Sequence, residues 1–427
     1  MLRRRAATHA AQPAPRRGSI ATVSAVTWTK RTALICAALA GLAVAAPASP
    51  ALAISEKTMQ RKIAASLLHA GAHSGAMVRD LTSSKTLYAA RADLTRVPAS
   101  VEKLYTTATA LRRFGPSARL TTELRFAGTL YDSGVLNGNL ILRGGGDPTL
   151  GSGDIDALAS AASQAGLKRI SGAIVGDESR FDTRRGGPSS GWGVDYYLGG
   201  SLGALTVNRG SGDSARPGRA AAIALAKELR SRGIRSADAT RAGKAPTAST
   251  RIAYVRSPTI AALAKATNVP SDNFIAETLL KNLGARYGSG GTTSRGAAVV
   301  SSFLRRVGIR ARVVDGSGLS RGNRTTPREV VALLSEMHQS TQRANFENSL
   351  AVAGRTGTLA GRMNGTAAEG VCRGKTGTLS DVSGLSGICR AANGHVIAFS
   401  MLMNSVSTDR ARGLQDSVLK AIARLSD

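Results

Sequence analysis

Ser100 stands three residues before Lys103 in "PASVEKLYTTATAL", at the start of a stretch with helical character. Residues three apart on a helix share a face, with Cβ atoms about 5–6 Å apart, so the amine can reach the hydroxyl. A lysine that is desolvated or near a second cation loses its proton near neutral pH and can then activate a nucleophile. Free backbone N–H groups at a helix N-terminus would favour the negative charge that develops. The chemistry would be attack of the serine oxygen on a carbonyl. Alone the pair says little, because serine is a common cap and lysine a common helix residue. Two further groups follow in chain order. Ser271, Asp272 and Asn273 open an expected helix in "PSDNF", and Lys375, Thr376, Gly377 and Thr378 lie on an expected strand in "GKTGTL". Together they make the ordered set S-x-x-K, S-D-N, K-T-G.

The elements that must position these groups are readable around them. Ser100 to Arg113 reads as a helix stopped by Phe114, Gly115 and Pro116. From Thr121 to Asp182 the chain turns β-rich and glycine-punctuated, with one helical stretch, "DIDALASAASQAGL". Helices dominate from Ser257, and one has Thr326 as cap, Pro327 in its first turn and Glu329 completing a capping box. Three antiparallel strands are expected near 370–377, 384–391 and 395–403, closed by a helix in "SVLKAIARL". With "GKAPTAST" as a boundary, the expected organisation is a helix-and-sheet domain of 54–125 plus 250–427, interrupted by a β-rich module at 126–249. A hairpin centred near Ser380 and Asp381 would set Cys372 opposite Cys389. A disulfide there would be worth about 3 kcal/mol; two free buried thiols are the alternative.

The first 53 residues hold seven Lys or Arg and no acid, then the apolar run "TALICAALAGLAVAA" and the small-residue end "ASPALA". That order is the order of a secretory signal, with cleavage expected after Ala53. A membrane anchor is the alternative, although the apolar run is short for a full span. The formal charge of +30 falls to +23 without those seven basic residues. Basicity commonly points to nucleic acid. In an exported chain it points instead to anionic wall polymers and lipid headgroups, or simply to solubility. Two cysteines remain, an even number, as suits an oxidising compartment.

Other chemistries find no support. A Ser-His-Asp arrangement needs a histidine, and His69, His73, His338 and His395 have no telling context. His69 and His73 lie in a glycine-broken stretch without an acidic third ligand, so no metal site is expected. A Walker A loop would need glycine where Glu369 stands.

With the three motifs in hand, the chain resembles the low-molecular-mass class C penicillin-binding proteins, D-alanyl-D-alanine carboxypeptidases and endopeptidases with an insert after the first motif. "GGGDPTL", "VGDESRFD", "SDNFIAETLLKNLG", "VDGSGLSRGNRTTP" and "GKTGTLSDVSGLSG" carry the likeness over nearly everything after residue 54. It implies an α+β fold of the serine β-lactamase and transpeptidase type, a five-stranded antiparallel sheet covered by helices. It also implies roles. Ser100 would attack and Lys103 take its proton, while backbone N–H groups of Ser100 and Thr378 form the oxyanion hole. Ser271 would pass a proton to the leaving amine with Lys375 beside it, and Asn273 would hold the acyl-side amide. Lys375, Thr376 and Thr378 would receive the terminal carboxylate, with Gly377 clearing room for substrate. Arg321 would contact a side-chain carboxylate of the peptide or serve as a turn residue; Asp182 and Asp195 are candidates for an acidic contact. The partners implied are peptidoglycan stem peptides, with β-lactams as covalent inhibitors, and neither a cofactor nor nucleic acid. The competing readings are a β-lactamase, for which Glu277 in "ETLLK" lacks the asparagine of E-x-x-L-N, and a catalytically silent wall-binding protein.

Overall fold

The computed structural model describes residues 53–237 and 239–427, so the expected signal segment lies outside the described residues except for Ala53. Helix α1 (Glu56–His69) leads into a hairpin of β1 (Ser74–Asp80) and β2 (Thr86–Ala90), and a 3-10 turn at Ala99–Glu102 runs straight into α2 (Lys103–Phe114). Gly115, at φ +84°, ends α2 one residue before Pro116.

The chain next builds a separate sheet. Its elements are β3 (Thr121–Leu130), β4 (Val135–Arg143), α3 (Ser152–Gln164), β5 (Arg169–Ile170), β6 (Ile174–Asp177), α4 (Pro217–Ser231), β7 (Arg235–Ser236), β8 (Thr240–Ala242) and β9 (Thr250–Arg256). β3 pairs antiparallel with β4 and β9, whereas β5 to β8 join in parallel. Parallel pairs need crossovers, and α3 and α4 supply them, burying Ile155, Leu158, Leu225 and Leu229 against Leu140, Leu142 and Ile174. This module is therefore more helical and more parallel than a β-rich reading of the chain implies. Strands of two to four residues are too short to show a period, and α4 hides in an alanine-rich stretch. The sheet runs from Thr121 to Arg256, a few residues beyond the expected span of 126–249 at each end.

The chain returns through α5 (Ile260–Asn268), α6 (Asn273–Tyr287), α7 (Thr293–Arg306), α8 (Pro327–Gln339) and α9 (Arg343–Glu347). The capping box at α8 forms: Thr326 Oγ1 accepts from Glu329 N at 3.1 Å, and Glu329 Oε2 accepts from Thr326 N at 2.9 Å. Then come β10 (Ala351–Val352), β11 (Cys372–Leu379), β12 (Val382–Arg390), β13 (Val396–Asn404) and α10 (Thr408–Ala423). They complete a sheet of order β10-β11-β12-β13-β1-β2, antiparallel throughout. It has six strands, not five; the extra one, β10, is a two-residue edge pairing that no sequence period could announce. β12 and β13 are buried almost end to end, as central strands covered on both faces must be. α1 and α10 cover one face through Met59, Ile63, Val418 and Ile422. α2, α5, α6 and α8 cover the other through Leu104, Leu263, Leu279 and Val330. Cys372 pairs with Cys389 in register, and the two form a disulfide three residues ahead of Lys375.

Candidate active site

The first motif sits on a strained turn. Ala99 has φ +48° and is fully buried, and Ser100 lies on the 3-10 turn that precedes α2. The serine is thus set just ahead of the helix, with Lys103 as the first α-helical residue. Lys103 Nζ donates to Ser100 Oγ at 2.8 Å, to Asn273 Oδ1 at 2.6 Å and to the Ser317 carbonyl at 2.6 Å. Those three bonds satisfy an ammonium completely. The side chain is fully buried. Burial pulls its pKa down to about 8, against the carboxylates of Asp315, Glu277 and Asp272, which favour the ammonium.

The second motif opens α6. Asp272 is the cap, Oδ1 accepting from Ile275 N at 2.9 Å, and Ser271 before it is held at φ +66°. Ser271 Oγ accepts from Lys375 Nζ at 2.8 Å. Lys375 comes from β11, also donates to the Thr376 carbonyl at 2.8 Å, and is fully buried. Burial first, and the neighbouring charge of Lys103 second, hold it well below the ordinary lysine range. Two Ser–Lys pairs from three distant stretches of chain therefore meet in one place. Asn273 ties one of them to the separate sheet's module, because its Nδ2 donates to the Tyr197 carbonyl at 2.7 Å. Arg209 of the same module pairs with Asp272 at 2.6 Å.

Strand alternation turns Thr376 and Thr378 to the face opposite Lys375 and Gly377. Thr376 Oγ1 donates to Thr358 Oγ1 at 2.9 Å, and Thr378 is exposed. Both line a cleft of about 320 Å³ with Thr358, Arg362, Ser383 and Arg412. Gly377 also has a reason within the fold: a Cβ there would lie 2.5 Å from the Pro98 carbonyl oxygen and 3.2 Å from Ser100 N, so the glycine admits the turn that carries Ser100. Arg321 is not free either: it is half-exposed and bonded to Asp381 and to Ser380 Oγ in the β11–β12 turn. Of the two acidic candidates, Asp182 pairs with the buried Lys281 at 2.6 Å, and Asp195 caps a short turn through Tyr197 N at 2.8 Å.

Several residues around the site went unnoticed in the sequence: Glu102, Asp315, Ser317, Thr358 and Arg209. Asp315 and Ser317 lie in "VDGSG", whose Asp-Gly-Ser-Gly composition does announce a tight turn. Nothing local marks Glu102, whose two carboxylate oxygens are buried without a hydrogen-bond partner. Burial, with Asp315 and Glu277 nearby, pushes its carboxyl well above the usual range, so it is held protonated where the unfolded chain would ionise. The folded state then binds more protons than the unfolded one, and this residue's contribution falls as pH rises above about 4.5, by up to about 1.4 kcal/mol per unit. Glu102→Gln, which mimics the protonated acid, is expected to match wild type in denaturant melts near pH 4.5 and to exceed it increasingly toward pH 8. Parallel pH profiles for the two proteins would contradict this.

A D-alanyl-D-alanine carboxypeptidase from an Actinomadura species is 30% identical over 445 residues, covering 83% of this chain and 81% of the relative. Among solved structures, penicillin-binding protein 4 from Haemophilus influenzae shares the fold with a TM-score of 0.73 at 21% identity, covering 86% of this chain and 98% of that one. A predatory peptidoglycan endopeptidase from Bdellovibrio bacteriovorus gives 0.54 at 20% identity, covering 81% and 90%. Matched by that family's sequence model over residues 59–213 and 211–425, the chain belongs to the D-Ala-D-Ala carboxypeptidase 3 (S13) family.

Proposed function

We infer that the chain does what its family is named for and is a serine D-alanyl-D-alanine carboxypeptidase, with Ser100 as nucleophile. The observation that carries this is the buried Lys103 amine 2.8 Å from the Ser100 hydroxyl, with a second Ser–Lys pair facing it. Ser100 Oγ attacks the carbonyl between the two terminal D-alanines and its proton passes to Lys103. Ser271 relays that proton from Lys103 to the departing amine, with Lys375 Nζ beside it to keep the hydroxyl polarised. Water then cleaves the ester and restores Ser100. Backbone N–H groups of Ser100 and Thr378 serve the oxyanion, each donor worth ~3–4 kcal/mol of barrier. β11 runs on past its two-residue pairing with β10, so no strand among the described residues covers the outer edge of Lys375–Thr378. An extended peptide can add itself there. Its terminal carboxylate meets Lys375, Thr376 and Thr378, with Asn273 on the acyl-side amide and Arg321 on a side-chain carboxylate once released from Asp381. The same serine serves cleavage of cross-linked stem peptides. Export, with cleavage near Ala53, and attachment of the basic chain to an anionic wall complete the reading. The module at 121–256 is the insert that supplies Tyr197 and Arg209 to the site.

A β-lactamase reading meets a physical obstacle. Glu277 Oε1 already accepts from Gly316 N at 2.9 Å and Ser317 N at 2.8 Å, and Oε2 is buried. It is not placed to prime a water at an ester on Ser100. The test is D-alanine release from an N-acylated peptide ending in D-Ala-D-Ala, with a cross-linked stem-peptide dimer in parallel. Wild type should release D-alanine and Ser100→Ala should not. A folded wild-type protein that neither releases D-alanine from the first substrate nor splits the second into monomers overturns the assignment.

A further inference from the structure

Glu277 lies four residues after Asn273, one helical turn further along α6 and on the same face. It is 1% exposed. Its Oε1 bridges the N–H groups of Gly316 and Ser317, and the Ser317 carbonyl in turn accepts from Lys103 Nζ at 2.6 Å. The turn is fixed from several sides. Thr106 Oγ1, on α2, donates to the Gly316 carbonyl at 2.9 Å, and Asp315 accepts from Gly318 N at 2.8 Å and Ser320 N at 2.6 Å. Oε2 of Glu277 has no hydrogen-bond partner although it is buried. A carboxylate kept dry and half-satisfied is costly in a purely structural role, since an amide could anchor the same two N–H groups without a charge.

We propose that Glu277 is a positioning residue for acylation: it anchors the turn whose Ser317 carbonyl holds Lys103, and its charge favours the ammonium formed when Lys103 takes the Ser100 proton. This rests on the acyl-enzyme reading above. It adds a residue that touches neither nucleophile nor substrate. Other titratable groups surround the pair: Glu102 beside Lys103, Asp272 at the cap of α6 and Lys281 on it, Asp315 in the turn, Lys375 on β11 and Glu329 at the start of α8. The Glu277 carboxylate raises Lys103, while burial first and Asp315 second raise the Glu277 carboxyl itself to about 7.

The experiment measures the second-order rate of acylation by benzylpenicillin from pH 5 to 10, on the full chain, by intact mass. In wild type the rate should fall below the Lys103 pKa, giving an acid limb. Glu277→Gln keeps an acceptor for the two N–H groups and removes the charge. Its limb should move about one unit lower, as loss of a nearby opposite charge requires. Its plateau should fall roughly threefold to tenfold, because the base is weaker. Thr106→Val, which loosens the same turn without altering any charge, should lower the rate and leave the limb in place. A Glu277→Gln limb that stays at the wild-type pH overturns the proposal, whatever happens to the plateau. If that variant does not fold, Glu277→Asp carries the test: the shorter side chain releases the turn, and an unchanged plateau overturns the anchoring role. A wild type that forms no adduct at any pH removes the acyl-enzyme reading itself, and the positioning role with it.

Discussion

Incubated with benzylpenicillin, the wild-type protein is expected to gain one drug mass, Ser100→Ala none, and Lys103→Ala the same adduct about 10²–10⁴ times more slowly. The serine prediction follows from position: among the described residues, Ser100 is the hydroxyl that Lys103 Nζ contacts. The lysine prediction follows from what the amine must do. Below about pH 8 it is an ammonium with three acceptors and cannot take a proton, so the wild-type rate should drop about tenfold per pH unit beneath that value. Removing it also exposes a cost. Asn273 Oδ1 and the Ser317 carbonyl lose their donor, and Glu277 and Asp315 lose a compensating charge. Breaking a buried ion pair in this way costs on the order of 3–5 kcal/mol. Rates for Lys103→Ala must therefore be expressed per folded molecule, with a thermal melt alongside. An adduct that survives in Ser100→Ala would move the nucleophile elsewhere. A Lys103→Ala rate equal to wild type would take the general base away from this lysine.

How far the site was legible depended on distance along the chain. Ser100 and Lys103 share a helical turn, so their meeting is dictated locally. Their pairing with Asn273, and the pairing of Ser271 with Lys375, rest on contacts 170 and 104 residues apart. No local pattern produces these, and the reading depended on three short motifs in a familiar order. The hairpin of β11 and β12 was legible because its register follows from one turn at Ser380 and Asp381, and that register alone puts Cys372 against Cys389. The parallel strands β5 to β8 were not, since each is too short for alternation and finds its partners through α3 and α4. Arg321 shows a different limit. An arginine is visible in any sequence, but its pairing with Asp381 depends on which neighbours the fold brings near.

Gly377 on β11 abuts the turn that carries Ser100, and Gly377→Ala is expected to cost acylation about a hundredfold. The argument is steric. A methyl group at this position would lie 2.5 Å from the Pro98 carbonyl oxygen, 3.1 Å from Val101 N and 3.2 Å from Ser100 N. All three contacts are backbone, so no side chain can swing aside, and relief requires β11 or the 98–101 turn to move. Neither is free to do so. β11 is bonded along its length to β12, where Gly384 meets the same turn through Val101 and Pro98. On the far side Gly318 closes against Ala99, where an added Cβ would stand 1.9 Å from the Ala99 carbonyl oxygen. A turn held between three glycines transmits any displacement to Ser100, and a shift of about 1 Å in a reacting group is worth ~10²-fold in rate. Overpacking should also lower stability by about 1–3 kcal/mol. Gly413→Ala is the control. It lies within α10 with open space where a Cβ would go, so alanine there should leave acylation unchanged and stabilise by up to ~1 kcal/mol. Measured side by side, the two substitutions separate a methyl group that displaces the nucleophile from one that merely removes a glycine. Near-normal acylation in Gly377→Ala would mean that the turn yields without moving Ser100, and that K-T-G keeps its glycine for the substrate after all.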